Sequence, residues 1–347
     1  KLRRRCGINQ PVGLEPERRR QLHAMKLRSL VGEHLTVSIE DVAGTDEGAT
    51  ANLSDGSVAV LAEERAHRGL GNALAMSVRA PSDAIYLFAA QEGAVLARRA
   101  ALFTGAIEVF DVREDSVSRA VPAPPLPPVN AVSAPQLVEV LQQAGLEVVH
   151  EHGVTVGEVA GLEVARIVSD EVGTRIEVGV GAHDREAFAL LHGAIPTPQA
   201  IEQVASVVRA HRLPGAEPHP LNRLGAERWL RAHLIAQPEK IGLSELVAVA
   251  PPIQRTNLKE AVPAVAMGRS SSGEVVVACA VGIDLDLVPF AADARLLHNQ
   301  DADLMVVVSE RDEHQILKDL AQRLADSAKV VAVPDGWREW TRLSSVP

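Results

Sequence analysis

The amino-acid sequence predicts an α/β fold assembled from two duplicated α/β units, and three observations carry that expectation. Residues 58–112 and 275–333 run through the same order: apolar strand, Ala-rich helix, strand, helix, strand. Strands that alternate with helices in this way define an α/β fold class. Between the two, residues 121–135 read VPAPPLPPVNAVSAP, and proline at that density fixes φ and removes backbone donors. Such a stretch forms a semi-rigid extended linker. Finally, 347 residues with 46% apolar content suffice for two domains, each with a buried core. The expected organisation is a basic arm at 1–20, a first α/β unit at 21–113, a Pro-rich linker at 114–135, a middle α+β segment at 136–224 and a second α/β unit at 225–347.

The elements follow in order. The arm (KLRRR, then ERRR at Glu17–Arg20) is poor in apolar groups and reads as an exposed segment, either solvated or binding nucleic acid. Leu22, Met25 and Leu30 near helical spacing predict a helix from Gln21 to about Val31. LTVSIEDV and ATANLSDG follow as strands, with Asp55-Gly56 as a hairpin turn, and the first repeat opens at Val58. Beyond the linker, Gln136–Ala144 predicts a helix, and VTVGEVAGLEVARIV with TRIEVGVG predicts a meander. Further helices are expected near Asp184–His192, Pro198–His211 and Gly225–Ala236. ELVAVAPPI and a hairpin around Arg269–Gly273 precede the second repeat.

Composition narrows the function. A net charge of −10 argues against a general electrostatic grip on nucleic acid and leaves a local basic patch as the form such binding would take. Aromatic residues at 3% offer few platforms for stacked bases. Cys6 and Cys279 cannot build a disulfide framework, and Cys279 in its apolar strand reads as a small core residue, so a reducing cytoplasm is the expected location. No apolar run reaches the roughly 18 residues of a membrane span, and no apolar h-region follows the basic start, so neither a membrane partner nor a secretory signal is expected.

Three clusters supply candidate chemistry. In GVGAHDREAFALLHG, His183, Asp184, Arg185, Glu186 and His192 gather at a strand–helix junction. Asp184 suits a helix cap, while His183 and Glu186 suit acid–base or ligand roles. In HRLPGAEPHPLNRLGAERWLR, Arg212, Arg223 and Arg228 present planar forks that match phosphate, or else an internal salt-bridge network with Glu217 and Glu227. In GIDLDLVP, read as a strand, Asp284 and Asp286 share one face, with Ile283, Leu285 and Leu287 turned to the core. Two carboxylates near the carboxyl end of a strand suit Mg²⁺ or Mn²⁺, or simply face water. The matching region of the first repeat holds His67, Arg68 and Gly69 instead. GxGxxG, the GK[ST] of a P-loop and GxSxG are missing, which disfavours Rossmann dehydrogenases, nucleotide-driven motors and α/β-hydrolases.

The segments VGVGAHDREAFALLHG, HRLPGAEPHPLNRLGAERWLR and CAVGIDLDLVPFAADAR, over about residues 140–320, resemble a conserved actinobacterial family that brings no activity with it. More distantly, the order of elements resembles the restriction-endonuclease-like fold, whose nucleases carry an acid on one strand and (D/E)xK on the next. This chain departs from that pattern: the strand reads VVVACAV in the second half, and Glu63-Glu64-Arg65 in the first lacks the lysine. Arginine gives up a proton poorly, so at least one copy is expected to be inactive.

The functional expectation is a cytosolic, metal-dependent phosphodiesterase directed at nucleic acid or another phosphate-bearing ligand. Asp284 and Asp286 would hold Mg²⁺ or Mn²⁺, Arg223 and Arg228 (with Arg212 beside them) would neutralise phosphate, and His183 or Glu186 would serve as base. The alternative is a non-catalytic scaffold or regulatory partner, in which the polar clusters hold the chain together.

Overall fold

A computed structural model of the chain describes residues 15–63, 68–79, 82, 84–114, 116–192, 197–255 and 258–340, with 191 and 192 described by backbone alone. The first fourteen residues of the expected arm, Glu64 and Arg65, His67, and the His192 side chain therefore lie outside the described residues. The protein is mixed α/β, and it divides into two compact units between Ala123 and Pro124. Among the described residues no helix is long and apolar enough to cross a membrane.

In the first unit, helix α1 (Pro16–His34) starts with proline in its first turn, where the missing N–H costs nothing. It therefore takes in Pro16–Arg20, which the sequence placed in the arm, and Arg20 pairs with Asp46 at 2.8 Å. Leu27, Leu30 and Val31, at i, i+3 and i+4, bury one face against the sheet. That sheet has six strands in sequential order: β1 (Ile39–Gly44), β2 (Gly48–Leu53), β3 (Val58–Ala62), β4 (Ala84–Ala89), β5 (Ala106–Arg113) and β6 (Ser116–Arg119). Pairing is antiparallel between β1, β2 and β3, parallel from β3 through β4 to β5, and antiparallel at β6. Helices α2 (Gly69–Arg79) and α3 (Gly93–Ala100) make the two parallel crossovers, so β3 is buried at every position, as an inner parallel strand requires. The predicted linker thus begins inside the sheet, because β6 occupies 116–119. From 120 to 134 the chain has no regular secondary structure.

In the second unit, α4 (Pro135–Gln143) leads into an antiparallel meander of β7 (Glu147–Glu151), β8 (Val154–Val159), β9 (Leu162–Asp170) and β10 (Gly173–Val178). Helices α5 (Ala182–His192), α6 (Thr197–His211) and α7 (Ala226–Ala236) come next. A five-stranded sheet follows: β11 (Glu245–Val249), β12 (Ala264–Arg269), β13 (Glu274–Cys279), β14 (Asp303–Ser309) and β15 (Lys329–Val333). Its pairings run antiparallel, antiparallel, parallel, parallel, with α8 (Leu287–His298) and α9 (Gln315–Gln322) as crossovers. One apolar core joins this sheet to the meander, with Leu141, Leu162, Val164, Ile201, Leu230, Leu234, Val277 and Val307 in a single cluster. The middle segment and the second α/β segment therefore share a core.

GIDLDLVP is not a strand. β13 ends at Cys279, and Gly282–Asp286 forms the turn into α8, so the alternation that would set Asp284 and Asp286 on one face is absent. Asp284 Oδ1 accepts the Asp286 N–H at 3.0 Å, the short-range bond by which an Asx side chain stabilises a turn. Ile283, expected in the core, is 70% exposed.

Cys279 is fully buried among aliphatic side chains, and burial pushes its thiol up to about 12. In a Cys6→Ser background, a thiol reagent at mildly alkaline pH should leave the native protein unmodified and label one thiol after denaturation. Rapid native labelling would contradict the packing of β13.

Candidate functional site

Buried charge is concentrated where the meander meets α7. Register sets Glu158 on β8 directly opposite Glu163 on β9, across the two-residue turn Ala160–Gly161, in which both residues have positive φ. Like charges opposite one another destabilise a sheet, and these carboxylates are 1% and 4% exposed, so each requires cations. Arg228 and Arg231, three residues apart on one face of α7, supply them to the first. Arg228 bonds Glu158 at 2.8 Å and also Glu151, while Arg231 bonds Glu151 at 2.7 Å and lies 3.6 Å from Glu158. Glu163 takes Arg166 in a two-pronged pair at 2.7 and 2.8 Å, and Arg185 of α5 at 2.8 Å.

Burial acts on both acids of the α7 network with different outcomes. It pushes the Glu158 carboxyl up, beyond what Arg228 and Arg231 recover. At Glu151 it is outweighed by Arg231 and Arg228, which hold the carboxyl below the ordinary range.

A cavity of about 990 Å³ opens beside this network. Its cationic lining is Arg166, Arg185, Arg228, Arg255 and Lys259, set against the two acids Glu163 and Asp184. Arg255, in the connection between β11 and β12, lies 3.6 Å from Glu227, and its side chain is 8% exposed. Its Nη1 is buried with no hydrogen-bond partner. Burial, and then the neighbouring Arg228 charge, push this guanidinium down. No side chain caps α7 at Gly225, and Leu224 and Arg228 on either side of that terminus both line the cavity.

The residues singled out from the sequence are only partly brought together. His183 is exposed and lines this cavity with Arg228. Glu186 lines a neighbouring one of about 470 Å³ with Arg175 and Glu177, so the two candidate bases serve different spaces. Asp184 accepts the N–H of Val180, ahead of the helix, at 2.7 Å, instead of capping the first turn of α5. Arg212 lines neither of these cavities. Buried to 4% exposure, it donates from Nη1 to the carbonyl of Ala160 (2.5 Å) and from Nη2 to those of Leu221 (3.1 Å) and Leu224. Arg223 is exposed and lines a third cavity.

Asp284 and Asp286 line none of these cavities. Among the described residues no group of three or more His, Cys, Asp or Glu side chains is placed to hold a metal ion. One oxygen of Asp284 is committed to the turn, and Asp286 is buried at 6% exposure.

Glu151, Glu158, Glu163, Arg166, Arg255 and Lys259 escaped the sequence reading. A signal for the first four was present: ionisable residues inside otherwise apolar strands, which must find partners once buried. Neither a protein-family model, nor a curated protein, nor a solved structure matches this chain.

Removing one partner from a buried pair strands the other. Arg231→Met should lower the unfolding free energy by about 3–5 kcal/mol in urea titrations. Arg175→Met, which frees the exposed Asp170 and the half-buried Glu177, should cost no more than about 1 kcal/mol; equal effects would refute the network's role. Gly161 has φ +76°, and a Cβ there would lie 2.3 Å from the Arg228 carbonyl group. Gly161→Ala should therefore cost more than about 1 kcal/mol, read as a lower denaturation midpoint.

Proposed function

We propose that the unit Pro124–Pro347 binds a phosphate-bearing ligand in the arginine-lined cavity beside α5 and α7. The supporting observation is Arg255, a buried guanidinium on the cavity wall whose Nη1 has no hydrogen-bond partner. Leaving such a donor unmet costs about 1–3 kcal/mol or more for a charged group, and the oxygen of an anion satisfies it. Arg166, Arg185 and Lys259 line the same space, and guanidinium forks suit the oxygens of phosphate. The uncapped start of α7 adds the positive end of a helix dipole.

Binding is better supported than metal-assisted hydrolysis. The carboxylates expected to hold a cation do not assemble, and the two candidate bases are divided between cavities. A second reading, a non-catalytic interaction protein, is favoured by the internal use of Arg228, Arg231 and Arg212. We further infer that residues 58–112 and 275–333 derive from one duplicated unit. The support is the common succession of two antiparallel and two parallel pairings with helical crossovers. The restriction-endonuclease-like assignment rests on that order alone and brings no catalytic lysine with it.

Thermal unfolding with pyrophosphate or a short single-stranded oligonucleotide, at matched ionic strength, tests the binding reading. The wild-type midpoint should climb with ligand, reaching a stabilisation of about 2.7 kcal/mol at a hundredfold excess over Kd, and Arg255→Gln should abolish most of that gain. Without any wild-type shift at low salt, the interaction-protein reading replaces this one.

A further inference from the structure

A separate cavity of about 340 Å³ lies between α6, the start of α7 and the chain after β15. Its size falls in the range of small-molecule sites. Its wall combines cations, flat rings and unmet polar atoms, and none of its lining residues belongs to the cavity considered above.

Arg223 is exposed at the rim and makes no hydrogen bond or ion pair among the described residues. Arg338 stacks over Trp337 at 4.2 Å and Trp229 at 5.6 Å, which holds its guanidinium plane while leaving its N–H donors to the cavity. His211 and His219 stack face to face, with centroids 3.7 Å apart and planes 7° from parallel. Each ring keeps one outer face, and His219 uses its Nδ1 to accept the Leu221 N–H at 3.3 Å. Two further atoms on this wall are buried with no hydrogen-bond partner: Trp229 Nε1, a donor, and Asn222 Oδ1, an acceptor. The one carboxylate present, Glu339, accepts the Gly215 N–H at 2.6 Å and so ties the loop after α6 to the segment after β15.

We propose that this cavity binds a small phosphate monoester carrying a planar ring. Arg223 and Arg338 would take the phosphate oxygens, and the imidazole stack would receive the ring on an outer face. A phosphate monoester is both acceptor and, when singly protonated, hydroxyl donor, so one group answers both the Trp229 N–H and the Asn222 oxygen. Leu213, Ala216 and Pro218 give the ring an apolar floor. The proposal is independent of the Arg255 cavity.

The chain's three tryptophans, Trp229, Trp337 and Trp340, all belong to the aromatic cluster at this cavity, so intrinsic fluorescence reports on it directly. The probes are phenyl phosphate, inorganic phosphate and phenol, titrated into the full chain. Phenyl phosphate should change the emission saturably and bind more tightly than inorganic phosphate, while phenol at the same concentration should bind no better than weakly. Arg223→Gln, on an exposed side chain that leaves the fold intact by circular dichroism, should raise the Kd for phenyl phosphate about tenfold or more, the loss of one charge-assisted hydrogen bond. Arg338→Gln should do the same, and if that variant unfolds, Arg223→Gln decides. The proposal fails if wild type gives no saturable change at millimolar phenyl phosphate, if phenol binds as tightly as phenyl phosphate, or if Arg223→Gln binds like wild type. A signal lost in Arg255→Gln but kept in Arg223→Gln belongs to the other cavity and also overturns it.

Discussion

The second unit depends on one electrostatic constraint. Glu158 and Glu163 face each other across β8 and β9, both almost wholly buried, and neither carboxylate is tolerable there without a cation. Their needs dictate the arrangement around them. Arg228 and Arg231 bring α7 against the meander, and Arg166 with Arg185 fastens the start of α5 to β9. The close approach that this pairing requires is permitted at Gly161, where the turn meets the backbone of α7 without a side chain between them. Packing and charge then agree, since Trp229 and Leu230 on the same helix reach the common apolar core.

That constraint also sorts the arginines by what remains to them. Arg212 donates to the carbonyls of Ala160, Leu221 and Leu224, Arg228 to Glu158 and Glu151, and Arg231 to Glu151 and the Val265 carbonyl, so their contribution is to position backbone. Arg255 and Arg223 are placed differently. Arg255 stands on the wall of the larger cavity with its buried Nη1 meeting no acceptor, and Arg223 is exposed with no hydrogen bond or ion pair among the described residues. In a chain of net charge −10, the proposed anion capture would rest on such residues and not on a broad basic surface.

The two α/β sheets show how the same local physics recurs. In each, an antiparallel hairpin shields one side of a pair of parallel junctions, and helices on the crossovers cover the inner strands, so β3 and β13 lack polar positions except at a strand end. The second unit differs in that its sheet shares its core with the meander, α6 and α7.

Much of the fold was legible in the residues alone. Apolar runs of strand length gave β3, β4, β13 and β14, helical spacing gave α4, α6 and α7, and proline density gave the irregular stretch that follows β6. The strand reading of GIDLDLVP failed because alternation of acids and aliphatics is shared by a strand and by a turn entering a helix. A single Asx bond at Asp284 favoured the turn. The site was the least legible part. Periodicity tells which face of an element is buried, yet it carries no information on which buried charge meets which. Glu158 and Arg228 are separated by 70 residues, and Glu151 and Arg231 by 80. The sequence by itself determined the elements and the presence of ionisable residues within apolar strands. Only the tertiary structure decided their partners, because hydrogen-bond and Coulomb energies in a water-poor interior depend on distances that chain order does not specify.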